Sequence, residues 1–126
     1  MFTNKVEVLS MAAAMAAHAA ARQNVIARNV ANADTPGFRA RRLPDFAEVW
    51  QAQGQTLRGT RAGHLSVSRQ REIQSTPDSR NLSPNGNSVS LETEMVAAAE
   101  ARQAHDFALA IRRTLSGAIR TALGRR

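Results

Sequence analysis

Histidine is the side chain in this sequence best suited to acid–base or metal chemistry, and it occurs three times, at His18, His64 and His105. None of the three stands in a zinc-binding spacing such as His-Glu-x-x-His. His105 is adjacent to Asp106, so on a helix the two side chains point to different faces and cannot act as a base and its orienting acid. We therefore predict no catalytic residue, no metal site and no cofactor.

Glycines offer a second possible chemistry, because Gly54 and Gly59 have the spacing of a phosphate-binding loop. Thr60 and Arg61 follow them, where such a loop requires Lys and then Ser or Thr. No Gly-x-Ser-x-Gly nucleophile motif is present either. The sequence predicts a non-enzymatic protein without a small-molecule substrate.

Positive charge is the strongest compositional feature, since 17 Lys and Arg residues outnumber 10 Asp and Glu residues and give a net charge of +7. Such a balance favours nucleic acid or another anionic partner. The charge is spread along the chain, however, and outside the termini it clusters tightly only at Arg39, Arg41 and Arg42. A solvated basic surface is the favoured interpretation, and a basic helical nucleic-acid-binding protein stays open as the alternative.

One apolar segment has to be compared with membrane spans and signal peptides. The apolar run over residues 11–21 is rich in Ala and interrupted by His18. It is too short to span a bilayer, and no basic segment precedes it as in a secretory signal peptide. The chain has no cysteine, which excludes disulfides and thiolate metal sites.

Two long helices are predicted to position any functional surface. Residues 4–31 lack Gly and Pro, and Asn4 with Glu7 forms a capping-box-like start. Apolar residues step by four and three along this helix, as in a coiled-coil seam: Phe2, Val6, Leu9, Ala13, Ala16, Ala20, Ala27 and Val30, with Gln23 in the same register.

A second helix is predicted from about Ser90 to about Leu123, with Glu92 and Glu94 near its positive end. Its apolar seam has the same four-three spacing: Ala97, Ala101, Ala104, Ala108, Ile111, Leu115, Ala118 and Ala122. Both seams are rich in alanine, which buries little area per residue. We therefore expect them to need partner helices.

Between the helices, Thr35-Pro36-Gly37 predicts a type II turn with Gly37 at the position of positive φ. Phe46, Val49 and Trp50 predict a short helix that opens after Pro44. Residues 51–88 are polar, apart from a possible short strand at 65–67, and predict a loop or disorder. The expected organisation is one domain over residues 1–126: helix 1–32, turn and ordered connector 33–50, flexible middle 51–88 and helix 89–126.

The stretch NVANADTPGF at residues 29–38 resembles the signature of the flagellar rod and hook protein family. Its motif positions are Asn29, Asn32, Thr35, Pro36, Gly37 and Phe38. Residues 85–95, NGNSVSLETEM, are similar to that family's entry into its C-terminal helix. The motif wording and the short chain favour the FlgB type, with FlgC as the nearest alternative, although Arg42 departs from an expected acidic residue.

This resemblance implies a mainly α protein in which the N- and C-terminal helices pair as a coiled-coil-like axial hairpin around an irregular or partly disordered middle. It implies a structural subunit of the proximal rod, which transmits torque across the periplasm. The implied partners are copies of the chain and other rod proteins in a helical tube, and a basal-body ring or adaptor at the rod base. They also include the flagellar type III export apparatus, which makes a cleaved signal peptide unnecessary. The assembly seam would comprise Leu9, Ala13, Ala20, Ala27, Val30, Ala104, Ala108, Ile111, Leu115 and Ala118.

Overall fold

A computed structural model of the chain describes residues 2–54, 75–78 and 82–124. Three helices and two short strands follow in the order α1 (Phe2–Ala31), β1 (Arg41–Arg42), α2 (Phe46–Gly54), β2 (Thr76–Pro77) and α3 (Leu91–Ala122). The possible strand at 65–67 lies outside the described residues. None of the described helices is both long enough and apolar enough to cross a membrane.

The helices α1 and α3 lie side by side and run in opposite directions. Ile26 of α1 packs with Ala97 and Ala101 of α3 in the buried apolar cluster. One turn earlier on α1, the Arg22 guanidinium contacts the Glu100 carboxylate at 2.7 Å. The predicted fold class, a mainly α hairpin of terminal helices, is therefore confirmed.

Small side chains let α1 and α3 pack closely but bury little area. The buried apolar residues are nearly all alanine: Ala12, Ala19, Ala40, Ala97, Ala101 and Ala108, together with Ile26. Each alanine contributes far less than the roughly 1.5–3 kcal/mol of a buried leucine or phenylalanine. Hydrogen bonds at the ends of the helices therefore carry more of the fold's specificity than its core does.

The register of α1 against α3 differs by one residue from the predicted seam. Ala12, Ala19 and Ile26 are buried, whereas Ala20 and Ala27, each one position further on, are exposed. Alanines occupy two adjacent positions of the heptad repeat in α1. The apolar pattern alone therefore does not show which of these two rows faces α3. Ile26 is larger than its neighbours and selects the face that meets α3.

The start of α1 also differs from the prediction. The helix begins at Phe2, so Asn4 lies inside its first turn and is not the residue before the helix. The capping-box interpretation of Asn4 and Glu7 is therefore wrong. At α3 the predicted boundary is confirmed, because Ser90 precedes the helix with an extended φ of −111°, although its side chain makes no capping hydrogen bond.

The connector packs on α1 through His18. Its Nε2 atom lies 2.8 Å from the Pro44 carbonyl oxygen, and its ring meets Phe46 edge-on at 5.7 Å between centroids. Phe46 in turn contacts Trp50 at 5.9 Å. The short helix predicted after Pro44 is thus present as α2, and it continues to Gly54.

The segment predicted to be flexible is ordered in its last part. Strand β2 pairs antiparallel with β1, with Thr76 opposite Arg42 and Pro77 opposite Arg41. Residues 82–90 then form a turn that leads into α3. This part of the chain has few apolar side chains, but hydrogen bonds to the end of α1 replace the missing apolar contacts.

Candidate assembly site: the two-turn junction and the exposed seam

The turn after α1 has the conformation that its sequence predicts. Gly37 has a φ of +73°, and the Phe38 amide donates to the Thr35 carbonyl at 3.2 Å across Pro36 and Gly37. This is the hydrogen bond of a four-residue turn with glycine in the left-handed position of type II. The turn reverses the chain directly after the helix.

Asn29 lies near the C-terminal end of α1, and its side chain binds the segment that follows the type II turn. The side chain is 1% exposed. Its Nδ2 donates to the Arg41 carbonyl at 2.8 Å, and its Oδ1 accepts from the Arg41 amide at 2.9 Å. One amide side chain thus satisfies both backbone groups of a strand residue, as a neighbouring strand would.

Asn87 lies in the segment before α3, and its side chain binds backbone carbonyls of the turn that follows α1. Its Nδ2 lies 2.9 Å from the Asn32 carbonyl oxygen, 2.7 Å from that of Ala33 and 2.9 Å from that of Thr35. Its Oδ1 accepts from the Val89 amide at 2.8 Å. These carbonyls belong to the turn that follows α1, so this buried amide satisfies turn backbone groups that would otherwise lack a partner.

Ser88 adds a further connection. Its hydroxyl donates to the Asp78 carbonyl at 2.7 Å and accepts from the Ala40 amide at 2.8 Å. Its own amide donates to the Phe38 carbonyl at 3.0 Å. Asn29, residues 32–41 and residues 85–88 therefore form one hydrogen-bonded unit, which we call the two-turn junction.

Glycine permits the close approach of the two turns. Gly86 has a φ of +78°, and a Cβ atom placed on it would lie 3.4 Å from Gly37 Cα. The Gly37 amide donates to the Asn85 carbonyl at 3.0 Å. The junction thus needs a left-handed glycine on each side.

Gly37→Ala tests whether the left-handed conformation matters. No atom lies within 4 Å of a Cβ placed on Gly37, so the substitution introduces strain without a clash. We expect a loss of about 1–2 kcal/mol in the free energy of unfolding. Urea denaturation followed by circular dichroism measures it.

Gly117→Ala is the matched control, because Gly117 also has open space around it but lies inside α3 without a positive φ. Alanine there should be neutral or stabilising by up to about 1 kcal/mol. Equal effects of the two substitutions would contradict the turn assignment.

The junction brings together all six predicted motif positions, from Asn29 to Phe38, and their part in assembly stays a prediction. Sequence reasoning did not assign roles to Asn87, Ser88 or Ala40. The signal for Asn87 was the polar NGNS run directly before an apolar helix, since buried amides at such places often bond backbone groups.

The predicted assembly seam divides between covered and exposed positions. Ala108 is buried, and Ala104, Ile111 and Leu115 are half-buried on α3. Ala13, Ala20, Ala27 and Val30 of α1 and Ala118 of α3 are exposed, and Leu9 is half-buried. The contacts of these residues with other chains remain a prediction.

A family model and individual relatives of this chain all belong to the flagellar rod proteins. A family model described as flagella basal body rod protein matches residues 11–39, which contain most of α1 and its terminal turn. The flagellar basal body rod protein FlgB of Agrobacterium fabrum is 32% identical in an alignment of 109 residues that covers 81% of each chain. The chain belongs to the flagellar basal body rod proteins. FlgB of Cereibacter sphaeroides is 34% identical over 102 residues, covering 76% of this chain and 78% of the relative.

These relatives are FlgB proteins, and they support the predicted FlgB type. FlgB of Proteus mirabilis is a further relative, 32% identical in an alignment of 84 residues that covers 58% of this chain and 61% of the relative. The chain is therefore a structural component of the flagellar basal body rod, and motility follows from that family. The unexpected Arg42 forms an ion pair with Asp78, which ties β1 to the segment after β2.

Proposed function

We propose that this chain is a single-domain subunit of the proximal rod, which transmits torque across the periplasm. The observation that carries the proposal is the second apolar row of α1. Ala13, Ala20, Ala27 and Val30 follow a coiled-coil spacing, yet α3 does not cover them. A helix with one apolar row packed and another exposed suits an assembly in which each subunit meets several others.

Large exposed apolar side chains on α3 support the same proposal. Met95, Val96 and Phe107 are 73%, 61% and 59% exposed. Apolar surface of this kind commonly marks sites of protein–protein contact. Contacts between unlike faces do not close on themselves and so build helical arrays.

The proposed partners are copies of this chain and neighbouring rod proteins in a helical tube, together with a ring or adaptor at the rod base. The export apparatus of the flagellum would carry the chain to the periplasm without cleavage of a signal peptide. We propose no enzymatic activity, cofactor, small-molecule substrate or nucleic acid partner. A basic nucleic-acid-binding role would show as binding that weakens steeply with salt.

Deletion of the gene and purification of basal bodies test the proposal. We expect non-motile cells without completed rods, and rescue by the wild-type chain. An epitope-tagged chain should co-purify with basal bodies and keep its N-terminal peptide in mass spectra. Complete rods in the deletion strain would contradict the rod role, and a shortened N-terminus would contradict the export route.

A further inference from the structure

Asn85 is the one asparagine of the sequence that is followed by glycine. In such a pair the main-chain nitrogen of the glycine can attack the side-chain carbonyl carbon of the asparagine, because glycine has no side chain to hinder the approach. Asn85 is exposed and lies in the turn that leads into α3. The pair therefore combines the two requirements of spontaneous deamidation, which are an unhindered nucleophile and access to water.

The reaction needs water as its only co-reactant. The Gly86 nitrogen loses its proton and forms a bond to Asn85 Cγ, and the side-chain nitrogen takes up a proton and leaves as ammonia. Water then opens the resulting cyclic imide at one of its two carbonyl carbons, and no group is oxidised or reduced. Opening at Cγ gives aspartate, whereas opening at the main-chain carbon gives isoaspartate, in which the chain runs through Cβ and Cγ.

Hydrogen bonds in the folded chain hold each group that this reaction moves. The Gly86 amide donates to the Ser83 carbonyl at 2.8 Å, so the attacking nitrogen keeps its proton in a hydrogen bond. Asn85 Oδ1 accepts from the Asn87 amide at 3.1 Å, which restrains the side chain. The Asn85 main-chain carbonyl accepts from the Gly37 amide at 3.0 Å, which fixes the peptide group between the two reacting residues. Ring closure therefore requires the turn to open.

We propose that Asn85 is a deamidation site that the two-turn junction protects in the folded chain and that unfolding exposes. The chemistry does not depend on contacts with other chains. Its consequence in the cell rests on the proposed export route, because a chain that waits unfolded for export is unprotected, whereas a folded subunit is protected. Deamidation then marks chains that remained unfolded for long.

Isoaspartate at position 85 would not fit the junction. The carbonyl that accepts from Gly37 becomes a free carboxylate, and the side-chain carbonyl that accepts from Asn87 becomes part of a main chain that is one methylene longer. The turns already approach closely, since a Cβ placed on Gly86 would lie 3.4 Å from Gly37 Cα. Aspartate keeps the normal main chain and an acceptor oxygen in the side chain, so we expect the junction to accept it.

Mass spectrometry of the full-length chain at mildly alkaline pH tests the protection. One sample is chain in buffer, with its helicity checked by circular dichroism, or chain in purified basal bodies; the other is chain in guanidinium chloride. We expect deamidation at Asn85 to be at least about tenfold slower in the folded sample, since it requires local opening. Asn24 is the internal control and should react little in either sample, because the branched side chain of Val25 hinders the attack.

Either of two results would overturn the proposal. Equal rates at Asn85 in the folded and the denatured sample would show that the fold gives no protection. Absence of reaction at Asn85 in the denatured sample would show that the position is not a deamidation site. Neither result bears on whether the chain is a rod subunit, which the presence of the chain in basal bodies decides.

Gly37→Ala connects the protection to the junction. The substitution strains the turn without a clash, so the junction should open more often and the folded-state rate at Asn85 should rise about fivefold or more. Gly117→Ala is the control in α3 and should leave this rate unchanged. In guanidinium chloride both variants should react at the wild-type rate. An unchanged folded-state rate for Gly37→Ala would contradict protection by the junction.

The two products supply the last measurement. Chain aged in denaturant is separated by chromatography into aspartyl and isoaspartyl forms, with Asn85→Asp as the reference for the first. We expect Asn85→Asp to refold to the wild-type helicity and the isoaspartyl form to unfold at a lower urea concentration. Asn85→Ser has no side-chain amide and should yield neither product at this position. An isoaspartyl form as stable as Asn85→Asp would refute the misfit in the junction.

Discussion

Asn87→Asp is expected to lower the free energy of unfolding by about 3 kcal/mol, because it turns a buried donor into an acceptor. The Asn87 Nδ2 atom lies within 2.9 Å of three carbonyl oxygens in the turn that follows α1. A carboxylate of the same shape would face those oxygens without a proton to share. Urea denaturation followed by circular dichroism measures the loss, and incorporation into basal bodies should fall with it.

The pH dependence of this variant identifies the cause. The environment of the carbonyls disfavours the charged form, so the introduced carboxyl should have a folded pKa above the ordinary value of about 3.9. The defect is then fully present above the folded pKa and disappears as the pH falls below about 3.9. Asn24→Ala, at an exposed position of α1, is the control and should change stability by less than about 0.5 kcal/mol.

Leu115→Asp is expected to yield exported chain that does not enter the rod, and therefore non-motile cells. Ile111 and Leu115 are four residues apart on α3 and half-buried in the single chain. If this face meets other helices, each subunit places a carboxylate in a dry contact at a cost of several kcal/mol. An unfolded chain has no packed face to disturb, so export itself should continue.

Thr121→Asp is the matched control for this substitution. Thr121 is exposed on α3, with its hydroxyl donating to the Gly117 carbonyl at 3.0 Å. We expect near-normal rods and motility. Normal rods in cells carrying Leu115→Asp would show that the α3 seam does not face another helix.

Sequence periodicity was sufficient to predict both long helices but insufficient to fix how they meet. In α3 the large residues Ile111 and Leu115 stand among alanines and identify one face. In α1 the pairs Ala12–Ala13 and Ala19–Ala20 give nearly equal apolar patterns in adjacent phases. Which of these two rows faces α3 depends on how the side chains of both helices pack together.

The turn at Gly37 was predictable because its conformation depends on neighbouring residues, chiefly Pro36. The hydrogen bonds from Asn87 were not, because they join positions 55, 54 and 52 residues apart in the sequence. A polar segment such as residues 82–90 has the composition of a loop. Composition does not show whether its side-chain amides form hydrogen bonds with backbone groups that are distant in the sequence. The buried Glu94 was likewise assigned only to the helix dipole, since burial of a first-turn carboxylate depends on the connector folded over it.

The hydrogen bonds that hold the two-turn junction join uncharged groups. Asn29, Asn87 and Ser88 hold it through amides and a hydroxyl, and their partners are backbone carbonyls and N–H groups. None of these groups ionises across the ordinary pH range, and counterions do not screen their hydrogen bonds as they screen ion pairs. The geometry at the base of the helix pair should therefore persist through changes of acidity and ionic strength that weaken contacts between charged surfaces. A subunit of this design can keep its own shape constant while its attachments to neighbours respond to the medium.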